Sequence, residues 1–205
     1  TAQAKAGDAF LALETAQGID SLRYKSVVLA RIAAAQEASK KGGDALKTLD
    51  HARNAANEIK KPFARDYAIS RIALTQSWIG RVRKSTDELD AAAAFADTIK
   101  DKRLRAETLW TIAGQLRRLS GNDRARAINN MANTATDEIK SQLSRVWMFS
   151  DLSLVHLKHG ENNAAWKAWQ RGLKIAEHIE NAWGRTRALG KLAATLIKLD
   201  KTKEN

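Results

Sequence analysis

The chain has 205 residues, 44% of them hydrophobic, with one proline, eleven glycines and no cysteine. That is enough apolar surface for a substantial core, and it excludes disulfides and thiolate chemistry while leaving the redox compartment open. A formal charge of +12 and a pI near 10.1 mark a basic protein whose field draws acidic proteins, nucleic acid or anionic surfaces, which bears on association and not on fold.

Richness in Ala, Leu, Lys, Arg and Gln, with no alternating run bounded by turn signals, predicts an all-α chain. A half-unit helix is expected at about 3–17, followed by helices at about 22–40, 44–59, 63–79, 85–99, 103–119, 123–139, 143–159, 163–179 and 183–199. No apolar run is long enough for a membrane-spanning helix, and no signal peptide is read; a start at Thr1 suits a cytoplasmic or an exported protein equally.

The helices repeat in pairs. "IKKPFAR" at 59–65 returns as "IKDKRLR" at 99–105, "IKSQLSR" at 139–145 and "IENAWGR" at 179–185, an interval of 40 residues each time, with an echo at Ile19 and Lys25. On that interval Ile32, Ile72, Ile112, Leu152 and Leu192 align, as do Ala33, Ala73, Ala113, Ser153 and Ala193. A second set follows at helical spacing: Leu49, Leu89, Asn129 and Trp169; Ala52, Ala92, Ala132 and Gly172; Ala56, Ala96, Thr136 and Ala176. Gly42, Gly80, Gly121 and Gly160 fall between the two sets, where an αL helix terminator is expected. Each unit therefore reads as a helical hairpin. A hairpin cannot bury its own apolar stripe, so successive hairpins must stack into a solenoid. The whole chain, 1–205, is expected to form one such domain, in units of about 1–19, 20–59, 60–99, 100–139, 140–179 and a capping helix at 180–205. Lys198, Lys201 and Lys203 suit an end that faces water.

The order Ile32, Ala33, Gln36, Ala45, Leu49, Ala52, and again Ile72, Ala73, Gln76, Leu89, Ala92, resembles the tetratricopeptide repeat. The unit is longer than that family's 34 residues, Ser85 replaces an expected alanine, and the family's tyrosine and closing proline are missing. The resemblance implies a right-handed α-solenoid of about four and a half repeats, with the first helix of each hairpin lining a concave groove. On that basis the candidate groove residues are Tyr67, Arg71, Leu74, Trp78, Trp110, Arg117, Arg118, Trp147, Leu154, Lys158 and Arg187. Such a groove would hold an extended or helical, acidic protein or peptide partner through burial, cation–π contact and charge-assisted hydrogen bonds. The family's carboxylate clamp is not matched, since Ala34 and Leu74 stand where its asparagines would be.

Arg65, Arg105, Arg145 and Arg185 open helices, where the macrodipole disfavours a cation, and Asp97, Asp137 and Glu177 close them, also with the wrong sign. Mutual pairing across the turn between repeats is the expected resolution. His156 and His159 are spaced i, i+3, as two metal ligands can be, but without an acidic or cysteine companion, and His156 aligns with Gln36 and Gln76, a packed position. "KKGGDA" at 40–45 lacks the context of a phosphate loop. With no nucleophile–base pair or isolated carboxylate pair, the reading is a non-enzymatic scaffold without cofactor or metal. Two alternatives stand beside it. One is a nucleic-acid-binding solenoid using Arg81, Arg83, Lys84, Lys100, Lys102, Arg103 and Arg105; the other is an accessory subunit of an envelope or secretion assembly, with self-association through the solenoid ends.

Overall fold

The structure, a computed structural model, describes residues 8–40 and 42–200. Among these, the regular elements are helices: α1 (Ala9–Gln17), α2 (Leu22–Ala38), α3 (Gly42–Asn57), α4 (Pro62–Arg83), α5 (Thr86–Asp97), α6 (Lys102–Asp137), α7 (Gln142–Lys158), α8 (Asn162–Glu177) and α9 (Ala182–Asp200). The first residues of the expected N-terminal helix, Lys201 and Lys203 lie outside the described residues.

α6 is two helices joined at Gly121, whose φ of 83° and ψ of −177° break the helix. In a straight helix Trp110 and Thr136 would stand roughly 39 Å apart. Instead the Trp110 indole donates to Thr136 Oγ1 at 3.1 Å, so the halves fold back antiparallel. The chain is thus a helical-repeat solenoid of stacked antiparallel hairpins, α2–α3, α4–α5, the two halves of α6, and α7–α8, with α1 and α9 as half-units at the ends.

Capping residues stand at one repeat position. Asp101 accepts from the Leu104 amide, Ser141 from that of Ser144 and Asn181 from that of Gly184, each relieving an orphan donor at a first-helix N-terminus. In the second unit Lys61 cannot cap in this way, and Pro62 at N1 removes the donor instead. The recurring isoleucine also has its reason. Ile19, Ile59, Ile99, Ile139 and Ile179 each donate their amide to the carbonyl three residues back, at 3.1–3.3 Å, closing the second helix with a tight turn. From Ile59 onward the side chain is buried beneath the turn it makes.

The glycines behave less uniformly than expected. Gly121 and Gly160 take positive φ, but in the first two hairpins that role falls to Lys40 (φ 60°) and Lys84 (φ 56°). Gly42 begins α3, and Gly80 lies buried inside α4, which runs on to Arg83. A Cβ at Gly80 would stand 2.9 Å from Glu88 Cβ, so glycine there permits close approach of α5 and not a left-handed turn.

The aligned positions form the core. Ile32, Ile72, Ile112, Leu152 and Leu192 are buried, each side chain worth about 1.5–3 kcal/mol of transfer free energy. Ala52, Ala92, Ala132 and Gly172 let helices approach closely; a Cβ at Gly172 would meet Leu192 Cδ2 at 3.1 Å. Ala193 is exposed on α9, which also presents Leu189 and Ile197 to solvent. The core is not continuous. One cluster runs from Ala12 to Ala168, and a smaller one of Val146, Ala176, Ile179, Ala188 and Leu192 joins α7 and α8 to α9.

The expected pairing across the turns is realised only in part. Arg105 meets Glu138 at 2.6 Å, a carboxylate of its own hairpin, and not Asp97 of the preceding helix. In an antiparallel pair the start of the first helix lies beside the end of the second, so that acid is the nearer one. Lys25 donates to the Gln17 carbonyl at the close of α1, which places a cation at the negative end of a dipole. Asp66 ties the following turn by accepting from the backbone amides of Lys100 and Asp101, at 3.0 and 2.7 Å.

Candidate interaction surface

First helices of neighbouring units touch along one face through residues that do not repeat. Position 23 of the 40-residue register carries Arg23, Phe63, Arg103, Leu143 and Trp183; position 27 carries Val27, Tyr67, Glu107, Trp147 and Arg187; position 31 carries Arg31, Arg71, Thr111, Asp151 and Lys191. Each is one helical turn beyond the last, so together they make one stripe.

Aromatic–cation and ionic links alternate along this stripe. The Arg23 guanidinium lies 5.1 Å from the Tyr67 ring centroid, across from α2 to α4. Arg103 reaches Glu107 on its own helix and Asp151 on α7, both at 2.8 Å, and Lys191 of α9 takes the other oxygen of Asp151 at 2.7 Å. Arg187 is held between Trp147 (5.5 Å) and Trp183 (4.7 Å). Burial raises the Glu107 carboxyl above the ordinary range, against the opposing pull of Arg103. Arg31 and Arg71 are exposed on the same stripe, with no carboxylate in ion-pair reach among the described residues.

The eleven candidate residues fall into three places. Tyr67, Arg71, Trp147 and Arg187 lie on the stripe just described. Leu74 and Leu154, partly buried, and Trp78 with Arg117, Arg118 and Lys158 follow further along the first helices, towards the hairpin turns. Trp110 is placed differently. It packs on the core beside the second helices, its indole bonded to Thr136 and lying 4.9 Å from the Arg171 guanidinium of α8. Its register position elsewhere holds Ala30, Ser70 and Ser150, all buried, and Gly190, exposed on α9; the three small buried residues of the inner units are the sequence signal that marks an inward side chain. The same alignment adds Arg23, Phe63 and Trp183 to the stripe. Trp183 is 65% exposed.

At the hairpin turns, Arg118 meets Glu161 at 2.8 Å, and Glu161 also bonds the buried His156 through Nδ1. Gly114 leaves room for this group, since a Cβ there would lie 3.3 Å from His156 Cε1. Burial alone would raise the Glu161 carboxyl, but the His156 hydrogen bond and the guanidiniums of Arg118 and Arg117 outweigh it and hold it low. Burial and the Arg118 charge push the His159 imidazole below its ordinary value. Arg117 lines a shallow hollow with Glu161, Asn162 and Lys167. Among the described residues no group of three His, Asp or Glu could hold a metal ion, and no helix is long and apolar enough to cross a membrane.

Of the basic residues grouped at the turns, Arg83 pairs with Glu37, Lys102 and Arg105 share Glu138, and Arg103 binds Glu107 and Asp151. Four of the seven are thus ion-paired within the array, while Arg81, Lys84 and Lys100 form no ion pair among the described residues. A separate cavity of about 630 Å³ opens between α1, α2 and α3; its lining residues include Phe10, Leu13 and Gln36, and nothing in the repeat pattern marks it as a site. Comparison with protein-family models, with curated proteins and with solved structures returns no match.

Proposed function

We propose that the chain is a tetratricopeptide-like interaction scaffold whose first-helix face is the concave wall of a groove that receives an acidic protein segment bearing apolar side chains. The observation that carries this reading is Arg187 between Trp147 and exposed Trp183, on a stripe that also presents unpaired Arg31 and Arg71. Core positions repeat along the array while this stripe does not, and in a repeat protein variation on one face is what distinguishes recognition from packing. Stacked indoles offer apolar area, and a guanidinium held between them is ready to grip a carboxylate without first being ordered.

Fluorescence anisotropy with labelled short peptides alternating glutamate and leucine tests the reading, against peptides in which glutamine replaces glutamate. Trp183→Ala and Arg187→Glu remove exposed groups, so the fold should persist while binding weakens by about tenfold or more and becomes less salt-dependent. Equal binding by the variants, or no preference for the acidic peptides, overturns it. In the same assay single-stranded RNA and duplex DNA are expected to bind in the micromolar range or weaker at physiological salt. A nanomolar, sequence-selective complex would favour the nucleic-acid reading instead.

A further inference from the structure

The cavity between α1, α2 and α3 is explained by comparing the first repeat with the second. In the second, Gln76 is satisfied at both ends of its amide: Arg53, from the preceding second helix, donates to Oε1, and Nε2 donates to Glu88 at 2.8 Å. Arg53 is steadied by Phe95, whose ring centroid is 5.1 Å from its guanidinium. Gln36 is the same position one unit earlier, and it is only 3% exposed. There Leu13 stands where Arg53 would be, and Thr48 where Glu88 would be. Gln36 Oε1 is buried with no hydrogen-bond partner among the described residues, and an acceptor stripped of water and left unpaired destabilises the fold.

That residue lines the 630 Å³ cavity with Leu13, Leu29, His51 and Ala55, so the side chain that carries the unmet acceptor forms part of the wall of a largely apolar space of ligand size, its Oε1 itself covered. A second departure from the repeat marks the mouth. Phe10 is 81% exposed on the cavity rim, where later units carry Asp50, Asp90, Asn130 and Gln170. Four units place a polar residue at that outward position; the one bordering the cavity places an aromatic ring. Asp44, Lys47 and Glu58 also line the cavity, together with a Lys25 already committed to the Gln17 carbonyl.

We propose that this cavity is a binding pocket for an arginine side chain of a partner segment, apolar on either side of that arginine, which supplies in trans the guanidinium that Arg53 supplies within the array. The guanidinium donates to Gln36 Oε1, the methylene stem lies on Leu13 and Leu29, and Phe10 covers the entry by stacking or apolar contact. The pocket faces α1 and α3 and does not depend on the first-helix stripe.

The test uses the full chain and a labelled acetyl-Ser-Leu-Arg-Leu-Ser-amide peptide, with norleucine and lysine counterparts, read by anisotropy and by the Gln36 side-chain amide resonance. The arginine peptide is expected to bind about tenfold tighter than either counterpart, the scale of one hydrogen bond from a charged donor, and to shift the Gln36 resonance. Phe10→Ala, at an exposed site, should weaken binding several-fold at unchanged melting temperature. Leu13→Arg fills the space from within, so it should raise the melting temperature and abolish binding. Absence of binding, equal binding of the three peptides, or a Leu13→Arg protein that melts earlier or still binds overturns the proposal.

Discussion

Trp110→Ala tests whether that indole belongs to the core of the array. The indole is partly buried, packs on the main hydrophobic cluster, donates to Thr136 Oγ1 at 3.1 Å and lies 4.9 Å from the Arg171 guanidinium. Complete removal of a buried aromatic costs about 3–5 kcal/mol, and partial exposure brings the apolar share nearer 2–3. The hydrogen bond adds about 1 kcal/mol and the cation–π contact about 0.5–1, so roughly 3.5–5 kcal/mol is expected in all. For a chain of this length that lowers the melting temperature by about 7–20 °C. Trp110→Phe keeps a ring beside Arg171 but loses the N–H, and should cost about 1–2 kcal/mol, because Thr136 Oγ1 still donates to the Ala132 carbonyl. Denaturant unfolding of both variants, with Arg171→Ala and the double mutant, separates the cation–π contribution as a coupling energy. A Trp110→Ala protein within about 0.5 kcal/mol of the parent would refute the placement of that side chain, since a change that small is typical of surface positions.

Ile72→Ala and Ile112→Ala each empty a fully buried site and should cost about 2–5 kcal/mol in urea unfolding; losses within error at both would mean the register is wrong. Gly80→Ala should destabilise by about 1–3 kcal/mol despite alanine's better helix propensity, because its Cβ would meet Glu88 Cβ at 2.9 Å and Ser85 O at 3.1 Å, and a thermal melt decides the sign. Acidification weakens the fold in two windows. A depressed pKa means that the unfolded chain takes up the proton first, so stability is lost as pH falls from the ordinary imidazole value through the lowered value of His159, and again from the ordinary carboxylate value through that of Glu161. Glu107, raised by burial, contributes in the opposite sense, with its stabilisation lost as pH rises through the folded value. In melting temperatures measured across pH, Glu161→Gln should therefore flatten the acid loss and Glu107→Gln steepen it.

The period and the two-helix unit were legible because stacking forces the same demand on every hairpin. Ile72 and Ile112 must be large and apolar, Ala92 and Ala132 must be small, and neither can drift without opening the core. Turn geometry was less legible. Lys40 and Lys84 take the left-handed conformation that glycine was expected to take, while Gly80 answers a packing need that only the approach of α5 creates. Pairing of the turn arginines could not be read from position along the chain, because the acid that meets Arg105 is close only once the hairpin closes. At the candidate surface, helical spacing is enough to set Tyr67 and Arg71 on one helix face, yet Trp110 needs the full register: its equivalents in the inner units, Ala30, Ser70 and Ser150, are small and buried. The pocket beside Gln36 escaped notice because its signal is a missing arginine at Leu13, visible only after Arg53 is seen bonded to Gln76.

The C-terminal helix α9 joins the array through a small cluster, a looser joint than the long cluster further in. Val146, Ala176, Ile179, Ala188 and Leu192 are the buried residues that fasten α9 to α7 and α8, apart from the longer cluster. Because each unit leans only on its neighbour, a solenoid unravels from its ends inward, and amide exchange should be faster in α9 than in α4. Arg187, wedged between Trp147 of α7 and Trp183 of α9, spans that loose joint. A partner gripping Arg187 would clasp the two helices together and quieten the fraying end without moving the backbone, so occupancy would register as slowed exchange in α9 before any change of shape.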